Sequence, residues 1–132
     1  MSNHDHALHT LQWSTHIEVD EPDGVTYYDG TDYEPSEELK EKVKKAWDSF
    51  EAQALEIGFD PEIHRVASYD PGEGSLWDHV AHDFILTVNR HGSGFWDTGR
   101  YSEPMATKLT EICRKFPEME VYLSDDNLLE AY

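Results

Sequence analysis

The clearest periodicity in the chain lies at residues 36–57. Leu39, Val43, Ala46, Trp47, Phe50, Ala54 and Ile57 recur there mostly at spacings of three and four. That stripe predicts an amphipathic helix. Ser36 supplies an N-cap oxygen, Glu37 and Glu38 suit the positive end of the helix dipole, and Gly58 can end the element. A second helix is predicted over 104–116, with Met105, Leu109, Ile112, Cys113 and Phe116 on one face. Ser102 and Pro104 precede it, and Pro117 stops it. Ser75 can cap a short third helix over 76–82.

Alternation predicts strands elsewhere. Trp13, Thr15, Ile17 and Val19 alternate with Ser14, His16 and Glu18. Val25 to Tyr28 lie between Asp23-Gly24 and Asp29-Gly30, so a hairpin is expected over 13–28. Pro22, Gly24, Gly30 and Pro35 exclude a continuous helix across this stretch. Phe84, Leu86 and Val88 alternate with Ile85, Thr87 and Asn89. The run from Asn89 through Gly92-Ser93-Gly94 reads as a turn, and Phe95-Trp96-Asp97 as its return, giving a second hairpin over 84–97. Met119, Val121 and Leu123 form a strand that turns at Asp125-Asp126-Asn127 into 128–132. Residues 59–74 read as loop. Residues 1–12, rich in histidine (His4, His6, His9) and anchored only by Leu8 and Leu11, read as a flexible N-terminus. The mixture lacks regular βαβ spacing. The expectation is therefore one α+β domain over 13–132, a mixed or antiparallel sheet whose hairpin 84–97 packs on the helices at 36–57 and 104–116.

Charge changes this picture more than length does. The 132 residues fit one domain. Ten Lys and Arg face 28 Asp and Glu, a formal net charge of −18 with histidines neutral. The 4 Trp, 7 Tyr and 5 Phe separate the chain from disordered acidic tails, which are poor in aromatics. A single cysteine excludes an intrachain disulfide and an all-cysteine zinc site. No segment has the pattern of a signal peptide or a spanning helix, so a cytoplasmic setting is expected. The charge argues against attraction to phosphate backbones or anionic lipids. The acids are also concentrated. Nine of them occupy residues 17–38 with no Lys or Arg, and Glu118, Glu120, Asp125, Asp126 and Glu130 follow the last lysine, Lys115.

The stretch His82-Asp83-Phe84-Ile85-Leu86-Thr87-Val88-Asn89-Arg90-His91-Gly92-Ser93-Gly94-Phe95-Trp96-Asp97, with Lys108-Leu109-Thr110 and the strand and turn over 121–126, resembles a family of small acidic proteins encoded by bacteriophages. That family repeats a pattern like HDF-x-LT-x-N-x-HG-x-GFWD, then a helix and a strand. The resemblance covers residues 80–126. Val88 stands where the pattern has Arg, and Arg90 where it has Gly. The resemblance implies a phage origin and a hairpin–helix–strand module. It implies no catalytic residues, and the family has no established activity.

Candidate chemistry is sparse. His79 and His82, one helical turn apart with Asp83 and Asp78 adjacent and His91 beyond, could reach one metal ion. Hydrogen-bonded or exposed histidines are far commoner than ligands, so no metal or other cofactor is expected. Asn89 and His91 invite comparison with ββα-metal nucleases, but the following helix offers Glu111 and neither His nor Asn. Cys113 lies on an apolar stripe and reads as core. The expected function is instead non-enzymatic: an acidic inhibitor that binds a basic host protein, a nucleic-acid-processing or defence enzyme, by imitating a phosphate array. Its expected contact face is Glu18, Asp20, Glu21, Asp23, Asp29, Asp32, Glu34, Asp125 and Asp126. The alternative is a small interaction module using the aromatic pair Phe95-Trp96, its acidity incidental. A metal-dependent enzyme is the third reading.

Overall fold

The computed structural model describes residues 3–65, 75–90, 95 and 100–131, with the backbone alone at Val19 and Asp20. The elements in chain order are α1 (Asn3–Trp13), β1 (His16–Glu21), β2 (Gly24–Asp29), a 3-10 turn (Gly30–Asp32), β3 (Glu34–Pro35), α2 (Glu37–Glu56), α3 (Pro61–His64), α4 (Leu76–Val88), α5 (Met105–Arg114), β4 (Val121–Leu123) and β5 (Leu128–Ala131). The class is α+β, with two small sheets packed against helices.

The long amphipathic helix forms where its stripe predicts it. Ser36 caps α2 by accepting from Leu39 N–H, and Leu39, Val43, Trp47, Phe50 and Ala54 are buried. Gly58 follows its end with φ at +84°, a conformation that only glycine adopts without cost. α5 buries Met105, Leu109, Ile112 and Cys113. The first hairpin also forms, but one turn of helix later than its alternation suggests. β1 starts at His16, because Trp13 belongs to α1.

Three expectations are corrected. The segment 84–88 is helical: α4 continues from its Ser75 capping box through Val88, so no hairpin begins at Phe84. The returning residues 91–94 and 96–99 lie outside the described residues. Val80, Ala81, Asp83, Phe84, Ile85, Leu86 and Val88 are all buried, so α4 is enclosed on nearly every side. A helix buried all round loses its polar stripe, and a short apolar run then mimics a strand. The N-terminus is likewise ordered as α1, with Ala7, Thr10 and Leu11 buried at helical spacing. Its histidines face aspartates on other elements: His4 Nε2 lies 2.7 Å from Asp48 on α2, and His6 Nε2 lies 3.4 Å from Asp78 on α4. Finally, the loop after α2 contains the single turn α3, capped by Asp60 with Pro61 as its first residue.

Aromatic rings join the helices. Phe50 of α2 meets Phe84 of α4 at a centroid distance of 4.6 Å and stacks on Phe95 at 5.5 Å. Trp47 packs on both Phe84 and Trp77, and Phe116 closes edge-on against Phe84. Such pairs add about 0.5–1.5 kcal/mol each beyond the area they bury.

The sheets lie at the edge of this core. β1 and β2 pair antiparallel, with Ile17 opposite Tyr28 and Glu18 opposite Tyr27. β4 and β5 form a second hairpin whose turn holds Asn127 at φ +61°. β3 joins β5 in parallel, Glu34 opposite Leu128. Two residues carry no periodicity, so this pairing has no sequence signature.

The first hairpin is seated on α1 through Gly30. The Gln12 side chain donates to the carbonyls of Gly30 (3.3 Å) and Tyr33 (3.1 Å). A Cβ at Gly30 would stand 2.6 Å from the Gln12 backbone carbonyl oxygen. Gly30→Ala should therefore cost about 1–3 kcal/mol, the range for overpacking a tight contact. Urea denaturation measures it, and an unchanged midpoint would mean that the turn does not seat on the helix end.

Candidate functional site

Two features have the chemistry to act: the acids, and a carboxylate inside the core. The acids of the first hairpin and the segment after it are largely at the surface. Glu18, Glu21, Asp23, Asp32 and Glu34 are exposed, and Asp29 is half-buried. Asp20 is placed by its backbone only, opposite Val25. Asp125 and Asp126 are exposed in the β4–β5 turn. The fold brings the two acidic stretches together at β3, and the C-terminal acids also approach the residues before β1. Glu34 lies in register beside β5, and Ser14 and Thr15, which lead into β1, line one shallow groove with Glu118 and Glu120. The hairpin itself is a separate sheet from the one holding the C-terminal acids.

Among the described residues each acidic stretch has one acid paired to a Lys or Arg, Glu118 in one and Glu37 in the other. Arg90 pairs with Glu118 at 3.2 Å, and Lys42 shares a shallow groove with Glu130 and Glu38. Lys40 pairs with Glu37 at 3.1 Å. Among the described residues, no Lys or Arg pairs with Glu18, Glu21, Asp23, Asp29, Asp32 or Glu34. Asp29 is instead held by its own neighbours. Thr31 donates to it from both hydroxyl and backbone N–H, and this holds its carboxyl below the usual range, helped by His16 and His9. The Tyr28 hydroxyl donates to Glu21 at 2.8 Å, which raises the phenol's pKa. Over a surface of 7720 Å² a charge of −18 averages about one per 430 Å². That is several-fold sparser than duplex DNA. A phosphate-like density would require the acids to be concentrated on one face.

The residues weighed as metal ligands have a different role. Asp83 is fully buried on α4. Its Oδ1 accepts from Arg100 Nη1 at 3.0 Å and is hydrogen-bonded to His82 Nδ1 at 3.0 Å, while Oδ2 accepts from the Tyr101 hydroxyl at 2.6 Å. His82 stacks on Trp13 of α1 with centroids 5.6 Å apart. His79, one turn away, is half-buried. Among the described residues, no three His, Cys, Asp or Glu side chains gather as a metal set. His91 lies outside them. Arg100 and Tyr101 are the partners that sequence reasoning missed. They stand 17 and 18 residues from Asp83, and no local pattern links them.

This cluster reads as a clamp. A backbone bridge pairs Tyr101 with Arg65 just beyond α3, so the carboxylate ties α3, α4 and the approach to α5 together. Burial raises the Tyr101 pKa first, the Asp83 charge and the bond to it add, and the Arg65 guanidinium opposes them. Cys113 is buried too, which pushes its thiol up and leaves it unreactive as a nucleophile.

Removing the carboxylate should be costly. Asp83→Ala leaves a phenol and a guanidinium facing an apolar gap. It should lose about 3 kcal/mol, the lower end for breaking a buried ion pair, because Arg100 keeps some contact with water. Calorimetry or urea titration of Asp83→Ala reads this, and a loss under about 1 kcal/mol would show that the clamp does not bear on stability. The phenol gives a pH signature. The folded protein retains a proton that the unfolded chain releases near pH ~10, so this contribution is whole below that pH and is lost as pH rises above it. Tyr101→Phe should flatten the alkaline fall in stability, measured by denaturation from pH 8 to 11. Comparison with family models, with curated proteins and with solved structures gave no match.

Proposed function

We propose that the chain is a non-enzymatic acidic inhibitor of phage type, acting in the cytoplasm of a host cell. It binds a basic host protein, a nucleic-acid-processing or defence enzyme, in the groove where that protein binds phosphates. The observation that carries this reading is the set Glu18, Glu21, Asp23, Asp32 and Glu34: exposed acids with no Lys or Arg paired to them among the described residues. A surface kept only for solubility needs no such separation of signs. The physics is a steered encounter with release of counterions from both partners.

One further observation favours binding over chemistry. The buried carboxylate is consumed by Arg100, Tyr101 and His82. Phe95, half of the aromatic pair on which an interaction module would rest, is fully buried between Phe50 and Tyr101. Trp96 lies outside the described residues. No described helix is long and apolar enough to cross a membrane.

The test uses the full chain on a support, host extract loaded at low salt, and a salt gradient. A basic protein should be retained and released between roughly 50 and 200 mM salt, the range in which phosphate-like contacts lose orders of magnitude. The wild-type chain should displace duplex DNA from that protein. Glu18→Gln/Asp23→Asn/Asp32→Asn should weaken binding and flatten the dependence of log K on log salt, with folding unchanged. Affinity indifferent to salt over that range sinks the proposal.

A further inference from the structure

The first hairpin has two unlike faces. One carries Ile17, which is buried, and Tyr28, which packs against the core. The other follows from the register: Glu18 stands directly opposite Tyr27, His16 opposite Asp29, and Val25 is two residues from Tyr27 on the same side. Tyr27 is 67% exposed and Val25 45% exposed. Among the described residues no aromatic ring stacks on Tyr27 and nothing hydrogen-bonds its hydroxyl, whereas Tyr28 next to it has both a ring partner and a carboxylate. Scattered exposed apolar residues are normal. Here an aromatic and a β-branched residue sit side by side on one sheet face, and a carboxylate faces the aromatic across the strand pair.

We infer that this outer face is a docking surface for an arginine-bearing surface of a basic protein, with Tyr27 as its anchor. The inference rests on the proposed function, which supplies a basic partner, and adds which face meets it and what it selects. Charge complementarity names the occupant. The face is rimmed by Glu18 and Asp29, and the chain has no Lys or Arg between residues 17 and 38. A second copy of so acidic a chain is repelled, and so is a phosphate or an anionic lipid. A guanidinium fits the combination. Its plane lies on the tyrosine ring while its N–H groups reach the flanking carboxylates. An ammonium meets the same charge but stacks less well, so the face should distinguish arginine from lysine.

The probes are two acetylated, amidated peptides of equal charge, octa-arginine and octa-lysine, titrated into the full chain by calorimetry and NMR. Wild type should bind octa-arginine about two- to fivefold more tightly, the factor expected from a cation–π contact at an exposed site. Tyr27→Ala should bring that ratio to about one, leaving the salt slope and the melting temperature unchanged. Asp23→Asn/Asp32→Asn, away from the Tyr27 ring, should instead weaken both peptides alike and flatten the slope. Amide shifts should centre on Glu18, Val25 and Tyr27. An arginine preference untouched by Tyr27→Ala, or shifts centred on residues 118–130, overturns the inference. So does a dimer in high-salt sedimentation that Tyr27→Ala dissolves, because the face would then serve a second copy. Failure of the charge-mimicry reading is separate: it appears as salt-indifferent binding to the retained host protein, whatever the peptides do.

Discussion

The fold is organised around one costly act, the burial of the Asp83 carboxylate on the central helix. An ionised group out of water is tolerated only if its oxygens are taken up by donors. Arg100, Tyr101 and His82 take up both oxygens. Meeting that demand fixes where residues 100–101 lie, and Tyr101 then passes the constraint into the apolar core. Its ring meets Phe95 at 4.9 Å and Phe59 at 6.1 Å, and its backbone bridges to Arg65. The polar clamp and the aromatic cluster are thus one structure, sharing Tyr101 as the joint. A hydrophobic residue at position 83 could pack, but it would leave the order of α3, α4 and α5 less uniquely specified, a use for which buried polar groups are attested in some proteins.

What could be read in advance follows from which elements keep a water-facing side. α2 is half in and half out, so its stripe is plain and its cap, length and end are all as the pattern says. The β4–β5 hairpin keeps its turn signal at Asp125-Asp126-Asn127. α4 has no water-facing side for Phe84 to Val88, so its run of Phe, Ile, Leu and Val answers to no helical period. α1 fails for the opposite reason. Its buried stripe is Ala7, Thr10 and Leu11, too small and too polar to register against three histidines. The spacing singles out His79 and His82 with Asp83 adjacent; of these, His82 and Asp83 are in contact. Their other partners come from residue 100 onward, a pairing set by the tertiary fold and invisible to spacing. Arg90, standing where the phage-type pattern has glycine, still adopts φ +59° after the end of α4. A non-glycine residue holds the left-handed conformation there at a modest local cost.

The sign of the charge is sorted by element. Four of the six lysines sit on α2, two arginines lie beside the buried clamp, and Arg90 answers Glu118. The first hairpin is left with acids alone.

The hairpin rests on α1 at Gly30 and on the core through Ile17 and Tyr28, and these contacts use only every other residue of each strand. Of the alternate residues, Asp29 is held by Thr31, whereas Glu18, Val25 and Tyr27 are exposed and make no hydrogen bond or ion pair among the described residues. Changes at those three should leave folding nearly untouched, while changes in the inward set should not. Such a strand pair separates heredity into two ledgers, one held fixed by the fold and one open to drift. Its outer face can therefore vary as quickly as whatever it touches, without waiting for compensation anywhere else in the chain.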